Sequence, residues 1–255
     1  MSSRSRATST DSPDDAPVGD PDNAGPRPLP TTARGQRTRE RLIAAARRVF
    51  EHDGYLDARL SDISAEANVS VGSFYVYFTS KEEIFAAVLE QVQDSALHPH
   101  VRAATQGSGP IAEIEAGNRA YLTWYRRNAR LMRALEQAAT CDENLRELRR
   151  KRGEAFARRN ARSIKELQER GLADPDLDPL LAAKAVDAMV GRMAYGVYVL
   201  GDDCPFEDLV SMLTRLWVNA LQIKTAGEAD TPAARSATKP VRTPARASRP
   251  RRTAD

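Results

Sequence analysis

Residues 70–83 read Ser70-Val71-Gly72-Ser73-Phe74-Tyr75-Val76-Tyr77-Phe78-Thr79-Ser80-Lys81-Glu82-Glu83, and this stretch decides the fold. Ser70 is a preferred N-cap, its hydroxyl an acceptor for an orphan amide of the first helical turn. At helical spacing Val71, Phe74 and Phe78 share one face. That leaves Gly72, Ser73, Val76 and Tyr77 outside and Tyr75 on the flank. Ser80 and Glu83 then have the spacing of a capping box, which opens a second helix. A very short helix is thus pinned by aromatics while its other side offers hydroxyls, a glycine and tyrosines. Such an element suits a groove of another molecule, most naturally the major groove of DNA.

The residues upstream complete a bundle. From Arg37 to Asp53, Leu42, Ala46, Val49 and Phe50 recur on one helical face, and Gly54 stands where a helix would end. A second helix follows with Leu60, Ile63 and Ala67 inward and Asp57 or Ser61 available near its start. It stops at Asn68, a residue that tolerates the left-handed backbone of a tight turn. Asn68-Val69-Ser70 is then the turn of a helix-turn-helix, and the helix from Val71 to Phe78 is the reader.

On these residues the segment from about 37 to 92 resembles the N-terminal DNA-binding domain of the TetR family of bacterial transcriptional regulators. The matching string is Thr38-Arg39-Glu40-Arg41, Ala44-Ala45-Ala46, Phe50, Gly54-Tyr55, Asp62-Ile63, Ala67-Asn68-Val69-Ser70, Gly72-Ser73-Phe74-Tyr75, Tyr77-Phe78 and Ser80-Lys81-Glu82. Two positions depart from the family pattern. Asn68 replaces a turn glycine, and Ala58-Arg59 replaces a threonine pair, so a phosphate contact there falls to Arg59 or is missing. The resemblance implies a double-stranded DNA operator as partner and DNA contacts at Thr38, Arg59, Ser70, Val71, Gly72, Ser73, Tyr75, Val76, Tyr77, Ser80 and Lys81. Within that set Lys81 and the positive end of the helix opening at Ser80 are expected to grip phosphate. Tyr75 and Tyr77 would pack on the backbone or thymine methyls, Ser73 would reach a base edge, and Gly72 would allow close approach. The reader has no Arg or Asn to name a guanine or adenine, so DNA shape would carry much of the specificity.

Downstream, every segment between the tails has a helical pattern and none has convincing strand alternation, so the chain is expected to be all-α. Helices are expected over Ser80 to about Leu97, Ile111–Asn128, Arg130–Thr140, Glu143–Arg170, Leu180–Leu200 and Phe206–Ile223. The expected organisation is a tail at 1–34, the helix-turn-helix domain at 35–97, an effector-binding and dimerisation domain at 98–225, and a tail at 226–255. The last two helices are apolar enough to join a second copy, with Val186, Met189, Val190, Met193 and Val197 on one. The other carries Leu209, Met212, Leu213, Leu216, Trp217 and Ala220. Ala188, Gly191, Ala194 and Gly196 would permit close approach. In the family the central helices enclose a small-molecule cavity. The candidates here are Tyr121, Trp124, Tyr125, Asn128, Met132, Leu135, Phe156, Met189, Met193 and Tyr198, although such residues at helical spacing also make ordinary core. Arg192 among apolar neighbours would meet an anionic ligand or pair with Asp187 or Glu136.

Composition narrows the classes. The 255 residues carry a net charge of +3, with 41% hydrophobic residues and no run of eighteen apolar ones, so no membrane partner is expected. The N-terminus lacks the apolar core of a signal peptide, and two lone cysteines, Cys141 and Cys204, fit a reducing cytoplasm. His52, His98 and His100 have no spacing that makes a metal site or catalytic set, no glycine-rich phosphate loop follows a strand, and no cofactor is expected. The chain therefore does not read as an enzyme. The last thirty residues carry Lys239 and six arginines against Glu228, Asp230 and Asp255, and both tails are expected to be disordered. The resemblance then implies a dimeric repressor released by a small-molecule effector. The alternatives are a transcriptional activator, a sequence-tolerant or architectural DNA binder relying on its basic tail, and a helical interaction module without operator binding.

Overall fold

The computed structural model describes residues 29–96 and 109–224. The expectations for the two tails and for the His98-Pro99-His100 break lie outside those residues. Among the described residues every regular element is helical, as the residue pattern requires. In chain order they are α1 (Ala33–Asp57), α2 (Leu60–Glu66), α3 (Val71–Tyr77), α4 (Lys81–Ala96), α5 (Pro110–Arg127), α6 (Ala129–Cys141), α7 (Glu143–Glu169), α8 (Pro179–Tyr195) and α9 (Phe206–Ala220). A single π-helical turn, Gly196–Leu200, extends α8 and ends at left-handed Gly201.

The starts of these helices are written in their caps. Thr32, Ser70, Asp142 and Asp178 each accept a backbone N–H of the first turn through a side-chain oxygen. Thr32 begins α1 at Ala33, so the expected tail boundary at residue 34 falls inside the helix. Arg59 occupies the N-cap position of α2 with no side-chain bond, so neither Asp57 nor Ser61 caps it. At Ser80 the expected reciprocal box is displaced by one residue. The Glu83 N–H donates to Ser80 Oγ at 3.2 Å, but Glu83 Oε2 accepts from the Thr79 amide at 2.5 Å and its hydroxyl at 2.8 Å.

One hydrophobic core runs from α1 through α4 into α5, α6 and the inner faces of α8 and α9. Phe50, Phe74, Phe78 and Phe85 are fully buried within it. A smaller cluster at the far end joins Ala157, Ile164 and Leu167 to Leu172, Ala183, Leu221 and Ile223. The first bundle is seated on the rest mainly along α1 and α6. Arg47 donates to Asn128 Oδ1 at 3.0 Å, and the Tyr55 amide donates to Gln137 Oε1 at 3.0 Å. The charged face of α7 is solvated and laced by pairs at helical spacing, among them Arg150–Glu147 and Arg158–Glu154.

Gly196, Gly191 and Ala194 are used inside the chain rather than as a free small-residue stripe. Gly196 lies against the Asp202 carboxylate with no room for a Cβ, Gly191 faces Tyr121 Oη, and Ala194 is fully buried. Only Ala188 of that expected set is exposed.

Candidate nucleic-acid interface

The first 25 residues of the bundle and the short α3 build a single groove. Arg34, Arg37, Thr38 and Arg41 of α1 line one side; Asn68, Val69, Ser73, Val76 and Tyr77 line the other. The arginines fall at i, i+3 and i+7, so helical geometry puts all three guanidinium groups on one stripe. All three are exposed, and none has a carboxylate within ion-pair distance among the described residues. A concentrated, unneutralised positive stripe beside a protruding helix can bind a polyanion.

α3 stands out from the bundle on two legs. Asn68, with φ of 53°, turns the chain after α2, and Ser70 Oγ accepts from the Ser73 amide at 3.1 Å. Phe74 is buried as expected, and so is Phe78, but Val71 is 44% exposed. The helical repeat ends at Tyr77; Phe78 is extended, with φ of −139° and ψ of 136°. Phe78 therefore reaches the core through the exit of the chain, and Val71 does not share its face. The outer surface of α3 presents Val71, Tyr75 and Val76, the last 67% exposed. Tyr77 is half-buried and packs partly on the core. Arg59 is exposed at the start of α2, outside the groove lining, while Gly72 is open on its outer side.

Lys81 departs from expectation. Its ammonium turns back to the carbonyl oxygens of Tyr55 at 3.0 Å, Ala58 at 3.3 Å and Leu56 at 3.4 Å, and lies over the Tyr55 ring. These carbonyls belong to the chain leaving α1, where helical acceptors lose their partners, and a cation satisfies them. The α4 N-terminus is likewise occupied: Glu82 and Glu83 sit in its first turn, and Glu82 accepts from Tyr55 Oη at 2.9 Å. Two carboxylates outweigh the half-charge of a helix dipole. Lys81 and this helix end thus form a clasp between α4 and the end of α1 in the free chain. Arg34, Arg37 and Arg41 stand outside the contact set expected from the sequence, although their i, i+3, i+7 spacing around Thr38 signals a shared stripe.

The residues expected to line a ligand cavity are gathered in part. Tyr121 stacks near Trp124, Tyr125 and Phe156 with ring centroids 6.1, 5.8 and 5.7 Å away, and Tyr125 lies 6.3 Å from Tyr198. Met132 and Leu135 are buried in the core, and Met189 is half-buried against it. Met193 faces outward, 43% exposed. Asn128 is buried with its amide engaged, donating to the Trp124 carbonyl at 2.8 Å while accepting from Arg47. It pins α1 to the end of α5.

Arg192 pairs with neither expected acid. It lies over the Tyr195 ring, Glu136 bonds to Arg149, and Asp187 accepts from Asn160 Nδ2 at 2.7 Å. Five residues along a helix is a rotation of about 140°, so Asp187 turns toward α7 while Arg192 turns away. Burial pushes the Asp187 carboxyl up to about 6 against an ordinary 3.8, with the Asn160 bond and nearby Arg159 pulling down. Between those values the folded chain binds more protons than the unfolded one, so stability falls as pH rises through that window. Asp187→Asn is expected to match the parent near pH 4 and exceed it by about 3 kcal/mol above pH 7. Urea midpoints at both pH values check this; a pH-independent difference contradicts it.

A helix-turn-helix bundle with a basic groove, fused to a larger helical domain, defines the class. Residues 42–88 match the model of the bacterial regulatory proteins of the tetR family. The chain is 38% identical over 74 residues to the uncharacterized HTH-type transcriptional regulator YdgC of Bacillus subtilis, spanning 29% of this chain and 35% of YdgC. It is 26% identical over 188 residues to the probable HTH-type transcriptional regulator ArpR of Pseudomonas putida, spanning 68% and 89%. A crystal structure of a TetR-family regulator from Rhodococcus sp. shares the fold at 20% identity and a TM-score of 0.61, over 72% of this chain and 98% of that one. The chain is thus similar to TetR-family transcriptional regulators, in the sequence of its helix-turn-helix segment and in its overall helical fold.

Proposed function

We propose that the chain binds a double-stranded DNA operator as a cytoplasmic homodimer and represses transcription until a small-molecule effector releases it. The observation that carries this reading is the groove in which Arg34, Arg37 and Arg41 flank an exposed reader helix. In it, α1 to α4, Arg34 included, are the DNA-binding unit and the helices from α5 onward bind effector and partner. The arginines and Arg59 hold phosphates; Tyr75, Val76 and Val71 meet base edges and methyl groups; Ser73 and Thr38 offer hydroxyls.

Dimerisation through α8 and α9 is supported by apolar residues left on their outer sides, with Leu181 69% and Met212 55% exposed beside Met193, Leu200 and Leu216. Two copies joined there would carry two readers to successive turns of one DNA face. No helix among the described residues is long and apolar enough to cross a membrane. The effector site is proposed at the rings of Tyr121, Trp124, Tyr125, Phe156 and Tyr198. Those rings adjoin the end of α5, from which the Asn128–Arg47 bond reaches α1. A shift of α5 on binding would thus tilt the bundle that holds the reader.

The test separates phosphate contacts from base readers. Arg37→Ala and Arg41→Ala are each expected to weaken binding to all sequences and to lower the salt slope of log K by about one. Equilibrium binding between 50 and 200 mM salt, a range of roughly fourfold, reads this directly. An unchanged slope in both variants removes the groove from the interface.

A further inference from the structure

Three helices converge beside the ring cluster. Tyr121 comes from α5, Phe156 and Asn160 lie one turn apart on α7, and Asp187 and Gly191 lie one turn apart on α8. The Tyr121 and Phe156 rings are 5.7 Å apart, Asn160 holds Asp187 Oδ1 at 2.7 Å, and Gly191 faces Tyr121 Oη. Asp187 Oδ2 is shut off from water and has no hydrogen-bond partner among the described residues. A carboxylate oxygen in that condition is expensive unless a donor meets it. Arg159 feels the same carboxylate but does not close on it; its guanidinium lies over Phe156, 4.6 Å from the ring centre.

Resting on the reading of the chain as an effector-responsive regulator, we infer that the effector is a protonated amine on an apolar or aromatic body, its ammonium set between Asp187 Oδ2 and the Tyr121 ring. The carboxylate supplies charge and a hydrogen-bond acceptor, and the ring supplies the negative π face that attracts a cation. Tyr121 has Trp124 and Tyr125 at 6.1 and 5.8 Å, so the body of the ligand meets aromatic surface beyond its head. An anionic effector is the opposing case, since among the described residues Arg152 on α7 and the hydroxyl of Tyr198 also have a buried polar atom without a partner. A guanidinium has five N–H donors and loses one there, and a phenol hydroxyl is neutral, whereas Asp187 leaves half of a carboxylate unmet. The shortfall favours the cation.

The experiment titrates the full chain calorimetrically with three probes that share a body and differ in head: 2-phenylethylammonium, 2-phenylethanol and phenylacetate. An octylammonium and octanol pair repeats it with an alkyl body. The ammonium head is expected to bind about tenfold more tightly than its alcohol, and Asp187→Asn or Asp187→Ser is expected to erase that preference. Thermal unfolding of the variants shows that they remain folded. Equal affinities for all heads, no binding by either ammonium at millimolar concentration, or a carboxylate preference lost in Arg159→Ala would each overturn the inference. DNA binding is measured on the same samples. Retained site-selective binding with a head-blind site removes this inference alone, whereas loss of DNA selectivity in the parent removes the regulator reading itself.

Discussion

Phe74→Ala is expected to destabilise the N-terminal bundle by about 3–5 kcal/mol and to abolish DNA binding with it. The side chain is fully buried, with the rings of Tyr75 and Phe78 at 5.5 and 5.8 Å. α3 has only seven residues, too few for a helix to persist on its own propensity. Its position therefore depends on the few side chains that reach the core, and Phe74 is the one buried within the helix itself. Removing the ring takes away apolar contact and leaves a void under the reader. Urea denaturation followed by circular dichroism gives the stability. Amide exchange localises the loss, which should fall on α2 and α3 while α5 to α9 stay protected. A change under about 1 kcal/mol, or undiminished DNA binding, would contradict the packing described.

Gly54→Ala carries the second large effect, about 2–5 kcal/mol, from two sources that can be separated. Gly54 has φ of 81° and ψ of −176°, a backbone that essentially only glycine adopts. A Cβ there would also stand 2.6 Å from Gln137 Oε1, the atom that accepts the Tyr55 amide at 3.0 Å. Alanine therefore strains the chain and displaces the acceptor, leaving the amide of a buried residue unpaired. Gln137→Ala alone should cost about 1–3 kcal/mol for that lost bond. In the double variant the clash disappears and the backbone strain remains, so the two losses should add to less than their sum. Denaturation midpoints of the four proteins test this; strict additivity would mean that Gln137 does not sit on Gly54. Because the bond joins α1 to α6, these variants should also loosen the seating of the DNA-binding bundle.

The all-helical fold was legible because its signals are local. Ser70 as a cap, Asn68 as a left-handed turn, Gly54 as a break, and Leu42, Phe50, Ile63 and Phe74 as inward residues all follow from short-range chemistry. Val71 misled because helical spacing was carried one residue past the end of α3. The site was harder to read for a different reason. Lys81 meets carbonyls more than twenty residues earlier, and Asn128 meets Arg47 across 81 positions. Asp187 meets Asn160 rather than Arg192. Such pairings are chosen by how helices pack, and periodicity holds no record of them. Arg34 was hidden more simply, by a tail boundary set inside α1.

The central claim is that Arg34, Arg37 and Arg41 with α3 form a sequence-selective DNA face. Selection of fragmented genomic DNA on the purified full-length chain, near physiological salt, tests it most directly when run beside Tyr75→Ala and the Arg37→Ala, Arg41→Ala double variant. The account predicts enrichment of one or a few inverted-repeat sites by the parent, with selectivity weakened in Tyr75→Ala and overall capture weakened in the arginine variant. Broad capture without a recurring site, or the same enrichment by all three proteins, would contradict it.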